Sequence, residues 1–273
     1  MNRGSNPNGC RNNFIENSVP TNTLLHIMRM MKGIILAGGT GTRLNPLTKV
    51  TNKHLLPVYN HPMIYYPIDT LIRSGIDNIT IVTGKDHGGS FMNLLGSGKE
   101  FGAKFHYALQ DNAGGIAEAL SLVEEFVHED SMVVILGDNI IVDNLSNDIK
   151  SFRTGSKIFL KEVPHPQRFG VPVFSNDRIV RIDEKPKNPG SRYAVTGLYM
   201  YDSTVFDKIR KIKPSSRGEL EITDVNNLYI EENSLQYGVL EGPWLDAGTF
   251  DSLLEASNRI REMNYRLSFE NSS

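Results

Sequence analysis

The chain has 273 residues, a formal net charge of −2 and 39% hydrophobic residues, which suits one large unit or two closely packed ones with a real core. The near-neutral charge argues against a nucleic-acid or membrane-surface protein, and no apolar run is long enough to span a bilayer. A single cysteine, Cys10, excludes an intramolecular disulfide framework and a cysteine-rich zinc site, and it fits a reducing, cytoplasmic setting.

Residues 1–30 differ from the rest. Asn2, Asn6, Asn8, Asn12, Asn13, Asn17 and Asn22 crowd a stretch with Gly, Ser and Pro. It lacks the apolar core of a signal peptide and is expected to be a disordered leader, with the protein proper starting near Met31. Then Ile34-Ile35-Leu36-Ala37 empties into Gly38-Gly39-Thr40-Gly41-Thr42-Arg43. The apolar run reads as a buried strand. The glycines permit a tight turn whose backbone N–H groups form an anion nest, and Arg43 adds a guanidinium fork suited to phosphate. Neither the Walker A pattern nor the dinucleotide fingerprint fits, since Leu44 stands where the third glycine would be.

A helix is predicted from Pro62, with Ile64, Ile68, Leu71 and Ile72 on one face. Ile79–Thr83 reads as a strand, Phe91–Leu95 as a short helix, and Phe105–Leu109 as a strand ending at Gln110. Ile116, Leu120, Val123 and Val127 mark an amphipathic helix, and Met132–Leu136 a buried strand that ends on Gly137-Asp138-Asn139. This alternation predicts an α/β fold with a mostly parallel sheet flanked by helices, its ligands beyond the carboxyl ends of the strands. The second half reads as short strands, 157–163, 171–174, 179–182 and 195–201, which predict a smaller mixed β region merged with the first. Helices are expected at 205–212 and 221–232, then a strand at 235–240, a loop at Trp244–Thr249 and a last helix from about Phe250 to Met263. The nucleotide-binding part is placed at about 31–150, the sugar-binding part at about 151–250, the whole unit at 31–267, and a tail at 268–273.

Asp138 at the mouth of a strand is a good hard-cation ligand, and Asp246 in a later loop is a plausible second one, although each alone is more often a turn or cap residue. Lys53 and the Glu184-Lys185 pair would, alone, be solvated surface charges. The histidines have no ligand spacing, and there is no nucleophile elbow and no HExxH. A sugar 1-phosphate has a second pKa near ~6, so it is already a dianionic nucleophile at neutral pH. An enzyme joining it to a nucleoside triphosphate needs positioning and cations rather than a general base. Arg43, Lys53, Lys185 and a magnesium held by Asp138 and Asp246 would be that set.

From Met31 to the last helix the chain resembles the glucose-1-phosphate thymidylyltransferases, a family of sugar nucleotidyltransferases. The segments Lys32–Leu44, Lys53–Val58, Pro62–Pro67, Leu136–Asn139, Glu184–Pro186, Ala194–Tyr199, Arg217–Asp224 and Trp244–Thr249 carry the resemblance. It implies transfer of thymidylate from dTTP to α-D-glucose 1-phosphate, giving dTDP-glucose for dTDP-sugar synthesis of the dTDP-L-rhamnose type, with Mg2+ as cofactor. It implies a catalytic set of Arg43, Lys53, Asp138, Lys185 and Asp246, with Mg2+ on Asp138 and Asp246. Leu36, Gly38, Gly39, Thr40, Gly41, Thr42, Gln110 and Gly115 would bind the nucleotide. Asn139, Gly170, Glu184, Val195 and Trp244 would bind the sugar phosphate. It also implies a homo-oligomer, dimer or tetramer. Two departures stand out: Phe169 replaces the tyrosine common before the glycine, and the chain resembles the short form without a C-terminal regulatory extension. The alternatives are the same chemistry with UTP or another sugar phosphate, and a non-catalytic nucleotide-sensing module.

Overall fold

The computed structural model describes residues 31–272, so the expected leader at 1–30 lies outside the described residues. In chain order the strands are β1 (Met31–Ala37), β2 (Pro57–Val58), β3 (His61–Pro62), β4 (Asn78–Gly84), β5 (Lys104–Gln110), β6 (Ser131–Leu136) and β7 (Asn139–Ile141). There follow β8 (Ser156–Glu162), β9 (Gly170–Ser175), β10 (Arg178–Glu184), β11 (Tyr193–Tyr201), β12 (Leu235–Val239) and β13 (Trp244–Asp246).

Seven of them form one sheet in the order β12-β8-β11-β6-β1-β4-β5. Only β11 runs against its neighbours; the other pairings are parallel. The fold is therefore the expected α/β class with a mostly parallel central sheet. Continuous apolar runs suit it because both faces are covered. Ile34 and Leu36 of β1 pack into one core with Leu120, Val127 and Phe206. Ile35 and Ala37 point the other way, into a core with Ile68, Leu71 and Phe91. The β9–β10 hairpin and the β7–β13 pair are separate two-stranded sheets.

Several boundaries differ from the sequence reading. The helix expected from Pro62 starts at Tyr65 and runs to Arg73, because Pro62 pairs with Pro57 across β2–β3 and Met63 N donates to Leu56 O. The helix expected across 116–127 is two pieces, 116–121 and 124–127, since Val123 leaves helical geometry while staying buried. The 205–212 helix ends at Ile209. The start of the expected Trp244–Thr249 loop is β13, antiparallel to β7 with Asp246 opposite Asn139. The closing helix, Phe250–Glu262, begins with a reciprocal capping box between Thr249 and Ser252. Beyond it, Ser268 N and Oγ donate to Asp69, and the Phe269 ring packs edge-on to Phe101.

Candidate active site

A cleft of about 640 Å3 opens at the carboxyl ends of β1, β5 and β6. Every residue proposed from sequence lines it except Gly41. Gly41 instead shapes the loop: it takes a left-handed φ of 65° at the start of the turn 42–44, and its carbonyl accepts from Thr48 Oγ1 at 2.9 Å. Gly39, Thr40 and Gly41 donate to no backbone carbonyl among the described residues, which leaves a run of N–H groups for an anion. Lys53 packs against Gly39, and Gly248 leaves room for the Arg43 guanidinium, whose Nη2 would lie 3.1 Å from a Cβ there. Both cations therefore stand beside the glycine loop.

The two aspartates are far apart in sequence, and the β7–β13 pair brings them to one wall. Ala247 N donates to Asp138 O at 3.0 Å, next to the Asp246–Asn139 register pair. Lys53 Nζ sits 2.5 Å from Asp138 Oδ2. Burial works to raise the Asp138 carboxyl, but Lys53 overrides it and holds the group well below the usual carboxylate range. Asp246 goes the other way. Burial, then the charge of Asp138, push it up to about 6, against the pull of Lys53, Arg43 and Arg168. Asn139 braces this wall: its Oδ1 accepts from Trp244 Nε1 at 2.6 Å and from Gly197 N at 3.0 Å, and its Nδ2 donates to Asp138 Oδ1 at 3.0 Å. Trp244 also meets Phe169 edge-to-face, with centroids 5.0 Å apart.

Gln110 and Gly115 line the cleft as well, with Gln110 against Gly38 of the glycine loop. Gly115 has a φ of 104°, and a Cβ there would lie 2.6 Å from the Leu220 carbonyl. Leu220 N donates to Gly114 O and Ala117 N to Leu220 O, so the two loops share backbone bonds. Gly170, Glu184, Lys185 and Val195 also line the cleft. Lys185 takes a left-handed φ of 44°, an uncommon conformation for a long side chain and one that clusters at functional sites. Its Nζ lies 3.2 Å from Glu184 Oε1, while Glu184 Oε2 accepts from Thr223 Oγ1 at 2.6 Å.

The model of the nucleotidyl transferase family matches residues 32–263. A glucose-1-phosphate thymidylyltransferase from Neisseria meningitidis serogroup A is 45% identical over 238 residues, covering 85% of this chain and 83% of the relative. One from Mycobacterium tuberculosis H37Rv is 43% identical over 242 residues, covering 86% and 84%. The chain belongs to the glucose-1-phosphate thymidylyltransferase family of nucleotidyl transferases. A crystal structure of a Bacillus anthracis protein provisionally assigned to the same activity, in complex with a sucrose, superposes with a TM-score of 0.84 at 53% identity, covering 88% of this chain and 99% of that one. A UDP-glucose pyrophosphorylase bound to UDP-glucose shares the fold, with a TM-score of 0.77 at 24% identity.

This nucleotidyltransferase has cleft residues that the sequence did not single out. Arg168 Nη2 lies 3.7 Å from Asp246 Oδ2. Arg217 Nη2 reaches Glu184 and Glu219, each at 3.4 Å, and Glu221 at 2.8 Å. The segment Arg217–Asp224 was noticed as a family signature, but its charges point to no partner until the fold places Glu184 beside them. His54 is one of the histidines without ligand spacing. It is buried in the cleft floor, its Nδ1 2.7 Å from Asn52 Oδ1, and burial and then Lys53 pull it down to about 3, so it stays neutral. The lining thus holds five cationic side chains, Arg43, Lys53, Arg168, Lys185 and Arg217, against five carboxylates, Asp138, Glu184, Glu219, Glu221 and Asp246.

Proposed function

We propose that this cleft joins dTTP to α-D-glucose 1-phosphate, releasing pyrophosphate and giving dTDP-glucose. A phosphate oxygen of the sugar phosphate attacks the α-phosphorus of dTTP. The bond from that phosphorus to the pyrophosphate oxygen breaks, and the electron pair leaves with pyrophosphate. The nucleophile is already ionised, so the transfer needs no general base. Gly39–Gly41 and Arg43 receive the triphosphate, Gln110 and Gly115 the base, and Lys185 the incoming sugar phosphate, with Glu184 and Val195 along the sugar.

Asp138 and Asp246 fit Mg2+. They are hard oxygen donors on one wall, and burial and then the charge of Asp138 push Asp246 up, a pressure that a shared cation would relieve. Two carboxylates suffice, because Mg2+ in such sites also takes phosphate oxygens and water. When bound, the ion neutralises charge on the phosphates. Lys53, now paired with Asp138, would then be free to turn to a phosphate.

The observation that carries the reading is the convergence of the glycine loop, Lys53 and both aspartates with Lys185 in one cleft. The names of the relatives support the choice of dTTP and glucose 1-phosphate. Pyrophosphate release with a panel of dTTP, dUTP, UTP, dCTP and dATP against several sugar 1-phosphates tests it. The expected result is the highest kcat/KM for dTTP with glucose 1-phosphate; no release with any pair would sink it. The reading includes a cytoplasmic enzyme assembled as a dimer or tetramer, which sedimentation would check. No helix among the described residues is long and apolar enough to cross a membrane.

A further inference from the structure

Gln110 is 5% exposed, and its side chain is fixed by one hydrogen bond and by packing against Gly38. Its Nε2 donates to Glu118 Oε2, on the short helix that follows the Gly114-Gly115 turn. Its Oε1 occupies the space that a Cβ on Gly38 would fill. A glutamine amide is nearly symmetric in shape, and its two orientations exchange a donor for an acceptor. A carboxylate behind the cleft lining breaks that symmetry, because an ionised carboxylate accepts and cannot donate. Turning the amide over would set a carbonyl oxygen against Glu118 and leave both oxygens without a proton between them, a costly arrangement for half-buried groups. Gly114 leaves room for this carboxylate: a Cβ there would lie 3.3 Å from Glu118 Cδ.

We propose that Glu118 is a specificity-determining positioning residue, which locks the polarity of Gln110 so that the cleft accepts 2,4-dioxopyrimidine nucleotides and rejects 4-aminopyrimidine ones. The locked amide offers an oxygen acceptor on one side and its remaining N–H beside it. Thymine and uracil present a ring N–H next to a carbonyl oxygen, which complements that pair. Cytosine presents a bare ring nitrogen next to an amino group and needs the amide reversed. Without Glu118 the reversal has no penalty, and Gln110 serves either base. Glu118 touches no base itself and acts through Gln110. The thymine methyl plays no part, so the lock separates thymine and uracil from cytosine, and leaves their separation from each other to apolar contact.

This inference rests on Gln110 meeting the base, as proposed above. The test compares the intact protein with Glu118→Gln and Glu118→Ala, measuring calorimetric binding of dTTP, dUTP and dCTP as well as pyrophosphate release. Glutamine at 118 keeps the size but can accept or donate, so it unlocks the amide without leaving a void. We expect the intact protein to favour both dTTP and dUTP over dCTP, and both variants to lower that preference by about tenfold or more, chiefly by gaining dCTP affinity. Equal loss of affinity for all three nucleotides would mark Glu118 as merely structural and overturn the inference. An unchanged dTTP-to-dCTP ratio in Glu118→Gln, or an intact protein that binds dCTP as well as dTTP, would also overturn it. Binding reports on Glu118 whatever the acceptor sugar, whereas the dTTP turnover of the intact protein reports on the proposed reaction.

Discussion

Asp138 and Asp246 ionise under opposite pressures, and this gives the sharpest tests at single residues. Asp138→Asn keeps the shape but removes the charge opposite Lys53; kcat should fall by about 10²–10³-fold with the far-UV spectrum unchanged. Asp246→Asn should act alike, and the double variant should be little worse than either single one, because both residues serve one ion. Near-normal turnover by either single variant would contradict this. With the Asp246 carboxyl raised to about 6 in the metal-free protein, Mg2+ affinity should rise with pH through about 6, and Asp246→Asn should bind Mg2+ more weakly and without that rise. Stability has the opposite sign. Between the usual carboxylate range and about 6, the native protein keeps a proton that the unfolded chain has released, so stability falls as pH rises through that window. In metal-free buffer at pH 7.5, Asp246→Asn should therefore melt a few degrees higher than the parent, each 1 kcal/mol moving Tm by about 2–4 °C at this size. A lower Tm would refute the claim that these two anions strain the site. In the same cleft, Lys185→Ala should chiefly raise KM for the sugar phosphate. Arg43→Ala should chiefly lower kcat by about 10²–10³-fold, with Arg43→Lys recovering part, since leaving-group charge grows in the transition state. If Arg43→Ala raised only the sugar-phosphate KM, the glycine loop would not hold the triphosphate.

At the scale of elements, the three-residue β7 matters more than its length suggests, because it seats both aspartates. Arg73 anchors it by donating to Ile141 O and Val142 O, each at 2.7 Å, and Thr70 Oγ1 also donates to Ile141 O. Arg73 is oriented by the fully buried Asp69, which also accepts from Tyr265 OH at 2.5 Å. Asp69→Ala would leave those donors facing a void. It should cost about 3 kcal/mol in urea unfolding and weaken Mg2+ activation with it; a loss under 1 kcal/mol would show that the anchor is redundant. None of this was legible in the sequence. Long apolar runs such as Met31–Ala37 and Ser131–Leu136 declare themselves because both faces of the sheet are covered. The pairs β2–β3 and β7–β13 are two or three residues long and have no period to read. The segment Arg217–Asp224 was legible only through the resemblance, since the partner that places its charges, Glu184, comes from the β9–β10 hairpin. The glycine loop, Gln110 and Asp138 were legible because each lies at the carboxyl end of a strand of the parallel sheet, where the ends must converge.

On the scale of the whole molecule, the central sheet crosses the sequence boundary between the proposed nucleotide and sugar parts. β6 of the first half bonds β11 of the second, and β8 and β12 extend the same sheet. The protein should therefore unfold as one cooperative unit. The single tryptophan, Trp244, reports on the cleft wall, and far-UV circular dichroism reports on the sheet. Their urea transitions should coincide, and separate midpoints would indicate two units.

The even count of charges in the cleft lining bears on how a substrate finds its way in. Dense phosphate groups are commonly drawn from a distance by a positive field. Here five positive groups face five negative ones on a chain of net charge −2, so little attraction extends past a Debye length of about 8 Å. Capture then depends on contact rather than long-range pull. Stopped-flow quenching of Trp244 should give an association rate for dTTP near the unsteered range, about 10⁵–10⁷ M⁻¹s⁻¹, changing only a few-fold between low and physiological salt.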